Sequence, residues 1–99
     1  MPKLNQQFQL PDGRKLGYDE HGSPDGKPLF YFHGSPSSRI ESTLYVSEGS
    51  LQSLNVRLIA VDRPGMGLSD FQPNRRLLDW SQDVLALADH LQIEHFAIL

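Results

Sequence analysis

The sequence predicts an α/β domain in which an antiparallel hairpin is followed by parallel strands joined by two crossover helices. Three observations carry that expectation. Pro28-Leu29-Phe30-Tyr31-Phe32 is apolar and aromatic without polar alternation, the pattern of a strand buried on both faces of a parallel sheet. Val56-Arg57-Leu58-Ile59-Ala60-Val61-Asp62 reads the same way, nearly all apolar through its second half. Apolar residues at helical spacing lie between and after these runs, so strand, helix, strand gives a right-handed crossover and a parallel pair.

Taken in order, Gln7 to Leu10 and Lys15 to His21 flank Pro11-Asp12-Gly13-Arg14. An Asp-Gly between two extended runs is the strongest short-range hairpin signal. In the second run Leu16, Tyr18 and Glu20 alternate with Gly17, Asp19 and His21, which suits an edge strand with one wet face. Gly22 to Pro28 concentrates the glycine and proline of a loop, because these residues set the φ angles of tight turns. The buried strand then runs into His33-Gly34-Ser35-Pro36-Ser37-Ser38. His-Gly turns sharply, and Ser38-Arg39-Ile40-Glu41 has the Ser-x-x-Glu spacing of a capping box that opens a helix. A strand delivering a glycine turn onto a helix start leaves backbone N–H groups at its C-terminal end, where α/β proteins bind ligands.

From Arg39 to Leu54 the apolar residues Ile40, Leu44, Leu51 and Leu54 repeat at roughly helical spacing, interrupted at Gly49. Asn55 tolerates the left-handed conformation and suits the helix stop before Val56. Asp79 stands three residues ahead of Gln82 as a cap, and Trp80, Val84, Leu87, Ala88 and Leu91 follow on one helical stripe. His90 in the last turn reads as a solvated residue. Phe96-Ala97-Ile98-Leu99 has the composition of another doubly buried strand. Four apolar residues make an abrupt finish, so Leu99 is expected to be an artificial or processed end.

Composition excludes several classes of function. At 99 residues the chain holds at most one domain, and an apolar fraction of 38% is ordinary for a globular protein. The apolar runs fall far short of the roughly 18 residues that span a bilayer, so no membrane partner is expected. The N-terminus Met1-Pro2-Lys3-Leu4-Asn5-Gln6-Gln7 lacks the apolar centre of a secretory signal, which makes the cytoplasm the expected compartment. Zero cysteines rule out disulfides and thiolate chemistry. A net charge of −3 with interspersed signs offers no stripe for nucleic acid. His21, His33, His90 and His95 show no metal-ligand spacing, and neither metal nor cofactor is expected.

Phe32-His33-Gly34-Ser35-Pro36 resembles the His-Gly loop of the α/β-hydrolase family, and Asp62-Arg63-Pro64-Gly65-Met66-Gly67-Leu68-Ser69-Asp70 resembles the loop after that family's fourth strand. The resemblance runs from about Phe8 to Leu99 and covers an incomplete domain over residues 1–99, cut at the fifth strand. It implies a strand order of one, two, four, three, five. It also implies that Ser35 N–H, with Gly34 shaping the turn, is an oxyanion donor, and that His33 is a structural hydrogen-bonder. The Gly-x-Ser-x-Gly elbow, the later acid and the catalytic histidine are absent from these residues. A longer protein is therefore implied to be a serine-type hydrolase of small-molecule ester, amide or related bonds, with the 99-residue chain inactive alone.

Simpler readings stand beside these. Ser35, Ser37 and Ser38 have no adjacent base and read as turn and cap residues rather than nucleophiles. Gly65-Met66-Gly67 invites a dinucleotide reading, but the third glycine of Gly-x-Gly-x-x-Gly would fall at Asp70. The better expectation is that the glycines bend this loop, with Asp62 and Ser69 bonding backbone inside it. Arg63 is expected to pair with a carboxylate, and Trp80 to belong to the core. An alternative from another class is a non-catalytic fragment that self-associates through an open sheet edge at Phe96 to Leu99.

Overall fold

A computed structural model describes residues 3–33, 38–44, 46–70 and 77–98 of the chain. Five strands form one sheet: β1 (Lys3–Gln9), β2 (Lys15–Gly22), β3 (Lys27–Phe32), β4 (Val56–Val61) and β5 (Ala97–Ile98). Their spatial order is β1-β2-β4-β3-β5, with β2 antiparallel to β1 and β4, and β3 parallel to β4 and β5. A 3₁₀ helix (Arg39–Leu44) and α1 (Glu48–Ser53) connect β3 to β4, and α2 (Leu77–His90) precedes β5.

The hairpin forms where Asp12-Gly13 predicts it. Gly13 takes φ 92, and Leu10 and Arg14 close the turn through Leu10 N–H to Arg14 O at 2.7 Å. β1 begins earlier than expected, at Lys3, and a bulge between Lys3 and Gln6 puts Asn5 at φ 58.

β2 is an interior strand, not the expected edge. It lies between β1 and β4, and Leu16 through Glu20 are all buried. The polar residues that suggested a wet face are buried as ion pairs: Asp19 Oδ1 accepts from Arg39 Nε at 2.8 Å, and Glu20 Oε1 pairs with Arg57 Nη2 at 2.7 Å. Distant arginines replace water on that strand.

The crossover is two short helices rather than one long one. Ser38 Oγ accepts a 3.4 Å bond from Ile40 N, and Glu41 N donates to the Ser38 carbonyl at 3.0 Å rather than to the hydroxyl, so the serine half of the expected capping box does not form; Glu41 Oε2 takes the Tyr31 hydroxyl at 2.6 Å. Ser47 caps α1 by accepting from Ser50 N at 3.1 Å, and Gly49 sits inside α1 instead of breaking it. Asn55 stops the segment at φ 55, as expected. α2 starts at Leu77, so Asp79 lies within the helix and is not its cap.

Strand alternation divides the core in two. Leu16, Tyr18, Phe30, Ile59 and Val61 meet Val84, Leu87 and Ala88 of α2 on one face. Tyr31, Leu58 and Ala60 meet Leu51 of α1 on the other. β5 is not doubly buried: Ala97 and Ile98 are exposed, and only Phe96 packs inward, 4.5 Å from Phe30 ring to ring. Leu99 lies outside the described residues.

Burial pushes the Tyr18 phenol up, and the Glu20 charge adds to the effect. Folded Tyr18 thus keeps its proton beyond the ordinary pKa of about 10. Its stabilising share is complete below that value and lost as pH rises through the raised folded one. In an ultraviolet titration, Tyr18→Phe is expected to remove absorbance from the part of the tyrosinate curve above the ordinary value of about 10. Loss from the part near the ordinary value would contradict the assignment.

Candidate functional site

Phe32 pairs with Val61 in the parallel ladder, so His33 and Asp62 leave adjacent strands side by side at their C-terminal ends. Both are fully buried. A carboxylate without water must find donors, and Asp62 finds three groups of them. Its Oδ1 accepts from Arg39 N at 2.6 Å, and Oδ2 accepts from Arg39 Nη1 at 2.9 Å and Leu68 N at 2.8 Å. The Arg39 guanidinium is shared further, with Asp19 through Nε and with the Asn5 side-chain oxygen through Nη2. Asn5 N in turn donates to Asp19 Oδ1 at 2.7 Å. Burial works against the Arg39 charge, but the Asp19 hydrogen bond and the charges of Asp62 and Asp19 outweigh it and raise its pKa.

The loop after β4 folds back around this carboxylate. Gly65 and Gly67 adopt φ 77 and 54, a region that favours glycine. A Cβ on Gly67 would collide with the Asp62 carboxylate, and one on Gly17 would lie 2.6 Å from Leu68 Cβ. Ser69 Oγ donates to Asp62 O at 2.7 Å and accepts from Gly17 N at 2.8 Å. Asp62 N and Asp70 N donate to Gly17 O and Lys15 O, so the loop runs along β2. Gly65, Met66 and Ser69 N–H groups bond carbonyls within the loop, and Leu68 N–H bonds Asp62. Those amides cannot also cradle a pyrophosphate, which disfavours the dinucleotide reading.

His33 and Arg63 join the two loops. His33 Nε2 accepts from Arg63 N at 3.0 Å, and the His33 carbonyl accepts from Arg63 Nε at 2.7 Å. The Arg63 guanidinium also sits 5.5 Å from the Trp80 ring centre. Among the described residues Arg63 therefore bonds a carbonyl and an aromatic face rather than the expected carboxylate. Trp80 packs against the core at its margin, in edge contact with Phe32.

Gly34 and Ser35, the expected oxyanion residues, lie outside the described residues, as do Pro36 and Ser37. What the structure describes is the anchorage on either side of them: His33 tied to Arg63, and Arg39 tied to Asp62. Asn5, Asp19 and Arg39 were not singled out from the sequence as site residues. Arg39 stood there only as filler in a cap spacing, and nothing local links it to carboxylates 20 and 23 positions away. Among the described residues no cluster of three or more His, Cys, Asp or Glu could hold a metal ion, and no helix is long and apolar enough to cross a membrane.

No protein-family model and no curated protein matches the chain. Solved structures do. The epoxide hydrolase CorEH superposes with a TM-score of 0.83 at 25% identity, over 99% of this chain and 32% of its own. A hypothetical protein from Pseudomonas aeruginosa PAO1 gives 0.80 at 27% identity, over 96% and 33%. An esterase from Exiguobacterium antarcticum gives 0.76 at 23%, over 96% and 34%, a likeness of fold alone. The chain folds as the N-terminal portion of an α/β hydrolase. It spans about a third of the length of these neighbours, and the strand order that the hydrolase resemblance implied is the one observed.

Removing one partner of a buried ion pair strands the other charge, at a cost of about 3–5 kcal/mol. Asp62→Ala is expected to destabilise the chain by about that amount in urea unfolding, since it also leaves Leu68 N–H unpaired. Gly17→Ala is expected to cost about 1–3 kcal/mol by overpacking. A wild-type midpoint for either variant would show that the network carries no stability.

Proposed function

We propose that this chain supplies the oxyanion-hole loop of a serine-type α/β hydrolase. In this reading the backbone N–H of Ser35, presented by the turn at Gly34, points at the oxygen that becomes negative when an ester, amide or related bond is attacked. The observation that carries the reading is the double anchorage of the loop: His33 on one side is held by Arg63, and Arg39 on the other by Asp62. A donor fixed before charge develops needs no reorganisation during the reaction, which is why such donors lower barriers. The likeness to an epoxide hydrolase at 25% identity supports hydrolytic chemistry on this fold.

Residues 1–99 contain no Gly-x-Ser-x-Gly elbow, so the nucleophile, acid and catalytic histidine belong to a longer protein, and the small-molecule substrate binds there. Ser35→Pro deletes the donor N–H. In the longer protein it is expected to lower kcat roughly 10²–10³-fold on a p-nitrophenyl ester, with KM little changed. The 99-residue chain is expected to release no nitrophenol above buffer. An unaltered kcat in the variant, or turnover by the 99 residues alone, would overturn the assignment.

A second reading rests on β5, which is only two residues long and leaves Ile98 62% exposed. Here the chain is a non-catalytic unit that self-associates through the edge at Phe96 to Leu99, since unpaired strands recruit others. Sedimentation separates the two. A mass that rises with concentration and falls back in Ile98→Lys supports association, whereas a monomer throughout sinks it.

A further inference from the structure

The adjacent parallel strands β3 and β4 send the chain to opposite faces of the sheet. β3 leads to the 3₁₀ helix and α1, whose Leu51 packs with Tyr31, Leu58 and Ala60, while β4 leads to α2, whose Val84 and Leu87 pack with Phe30, Ile59 and Val61. Connections that part in this way open a crevice beyond the carboxyl ends of the strands, where open α/β sheets bind ligands. His33 and Arg63 stand at that point, each just past the end of its strand.

Arg63 is not exhausted by the loops it joins. Arg14, Arg39 and Arg57 each pair with a carboxylate, which offsets the burial of their charge. Arg63 is half-buried too, yet among the described residues it has no carboxylate partner. Its Nε is held by the His33 carbonyl at 2.7 Å, and its guanidinium lies over the Trp80 ring, 5.5 Å from the ring centre. Those contacts occupy one edge and one face of the planar group and leave Nη1 and Nη2 as a fork at its end. Two parallel N–H bonds from such a fork match a carboxylate. Trp80 Nε1 is another donor of this corner, buried and without a hydrogen-bond partner. The corner is rich in donors and short of acceptors.

The same indole borders apolar space. With Phe32, Val84, Leu85 and Phe96 it lines a cavity of about 220 Å³, in which Ser81 supplies the one hydroxyl. A fixed cation and a hydrocarbon-walled space that meet at one ring suit an anion with an apolar tail.

We propose that this corner binds a medium-length alkyl carboxylate, its head on Arg63 Nη1 and Nη2 and its chain in the cavity beside Trp80. Because His33 and Trp80 already hold the guanidinium, little side-chain freedom is lost on binding. An inorganic anion meets the fork but leaves the cavity unfilled, so the tail is what discriminates. The site needs neither the Ser35 N–H nor a nucleophile, and its failure would leave the hydrolase reading untouched.

Trp80 is the one tryptophan of the sequence, so its fluorescence and its indole N–H resonance report on this corner alone. Titration of the 99-residue chain with sodium hexanoate is expected to shift both saturably, with a dissociation constant on the order of 1 mM, as suits a ligand of this size. Hexan-1-ol has the tail without the charge, and acetate has the charge without the tail. Each is expected to bind at least about tenfold more weakly than hexanoate. Arg63→Gln is expected to bring hexanoate down to the level of the alcohol, and the comparison of the three ligands on the unaltered chain stands even if that variant fails to fold. Equal affinity for hexanoate and hexan-1-ol, equal affinity for hexanoate and acetate, no saturation with hexanoate, or undiminished hexanoate binding by folded Arg63→Gln would each overturn the proposal.

Discussion

The buried charge of Asp62 governs the arrangement of everything at the C-terminal ends of the strands. Taken out of water, it is stable only with donors on all sides. Those donors come from the 3₁₀ helix through Arg39 and from the loop after β4 through Leu68. Gly17 and Gly67 exist as glycines because the carboxylate and the folded-back loop occupy the space a side chain would need. One carboxylate thereby sets the path of two loops and the composition of a neighbouring strand. Arg39 extends the arrangement to β1 by way of Asp19 and Asn5.

This explains why two sequence motifs separated by almost thirty residues behave as a unit. Asp62 and Arg63 are consecutive, yet they hold different sides of the same segment, Asp62 through Arg39 and Arg63 through His33. The partners of His33 and Arg39 are thus adjacent residues of one short loop that is itself laddered to β2.

Much of the fold was legible because two-sided burial appears in a sequence as an unbroken apolar run. Pro28 to Phe32 and Val56 to Val61 are such runs, and the Asp-Gly turn and the stripe from Trp80 to Leu91 have equally local signatures. β2 was misread because its burial depends on Arg39 and Arg57, which lie 20 and 37 positions from the residues they neutralise. Charge in a strand looks like solvent exposure until its partner is known. The crossover differs for a local reason: Glu41 N bonds the Ser38 carbonyl in a 3₁₀ turn, and the Ser38 hydroxyl is left to Ile40 N. Of the site, the loop residues and glycines were visible in their spacing, while Asn5, Asp19 and Arg39 were joined only by tertiary folding.

The bulge in β1 has an effect on how the molecule meets others of its kind. Sheets grow by adding strands to a flat, regular border, and a left-handed residue in that border disrupts the repeat of donors and acceptors. Asn5 interrupts β1 in this way, and its side chain and amide are turned inward to Arg39 and Asp19. The same residue that completes the buried charge cluster thus blunts one border of the sheet.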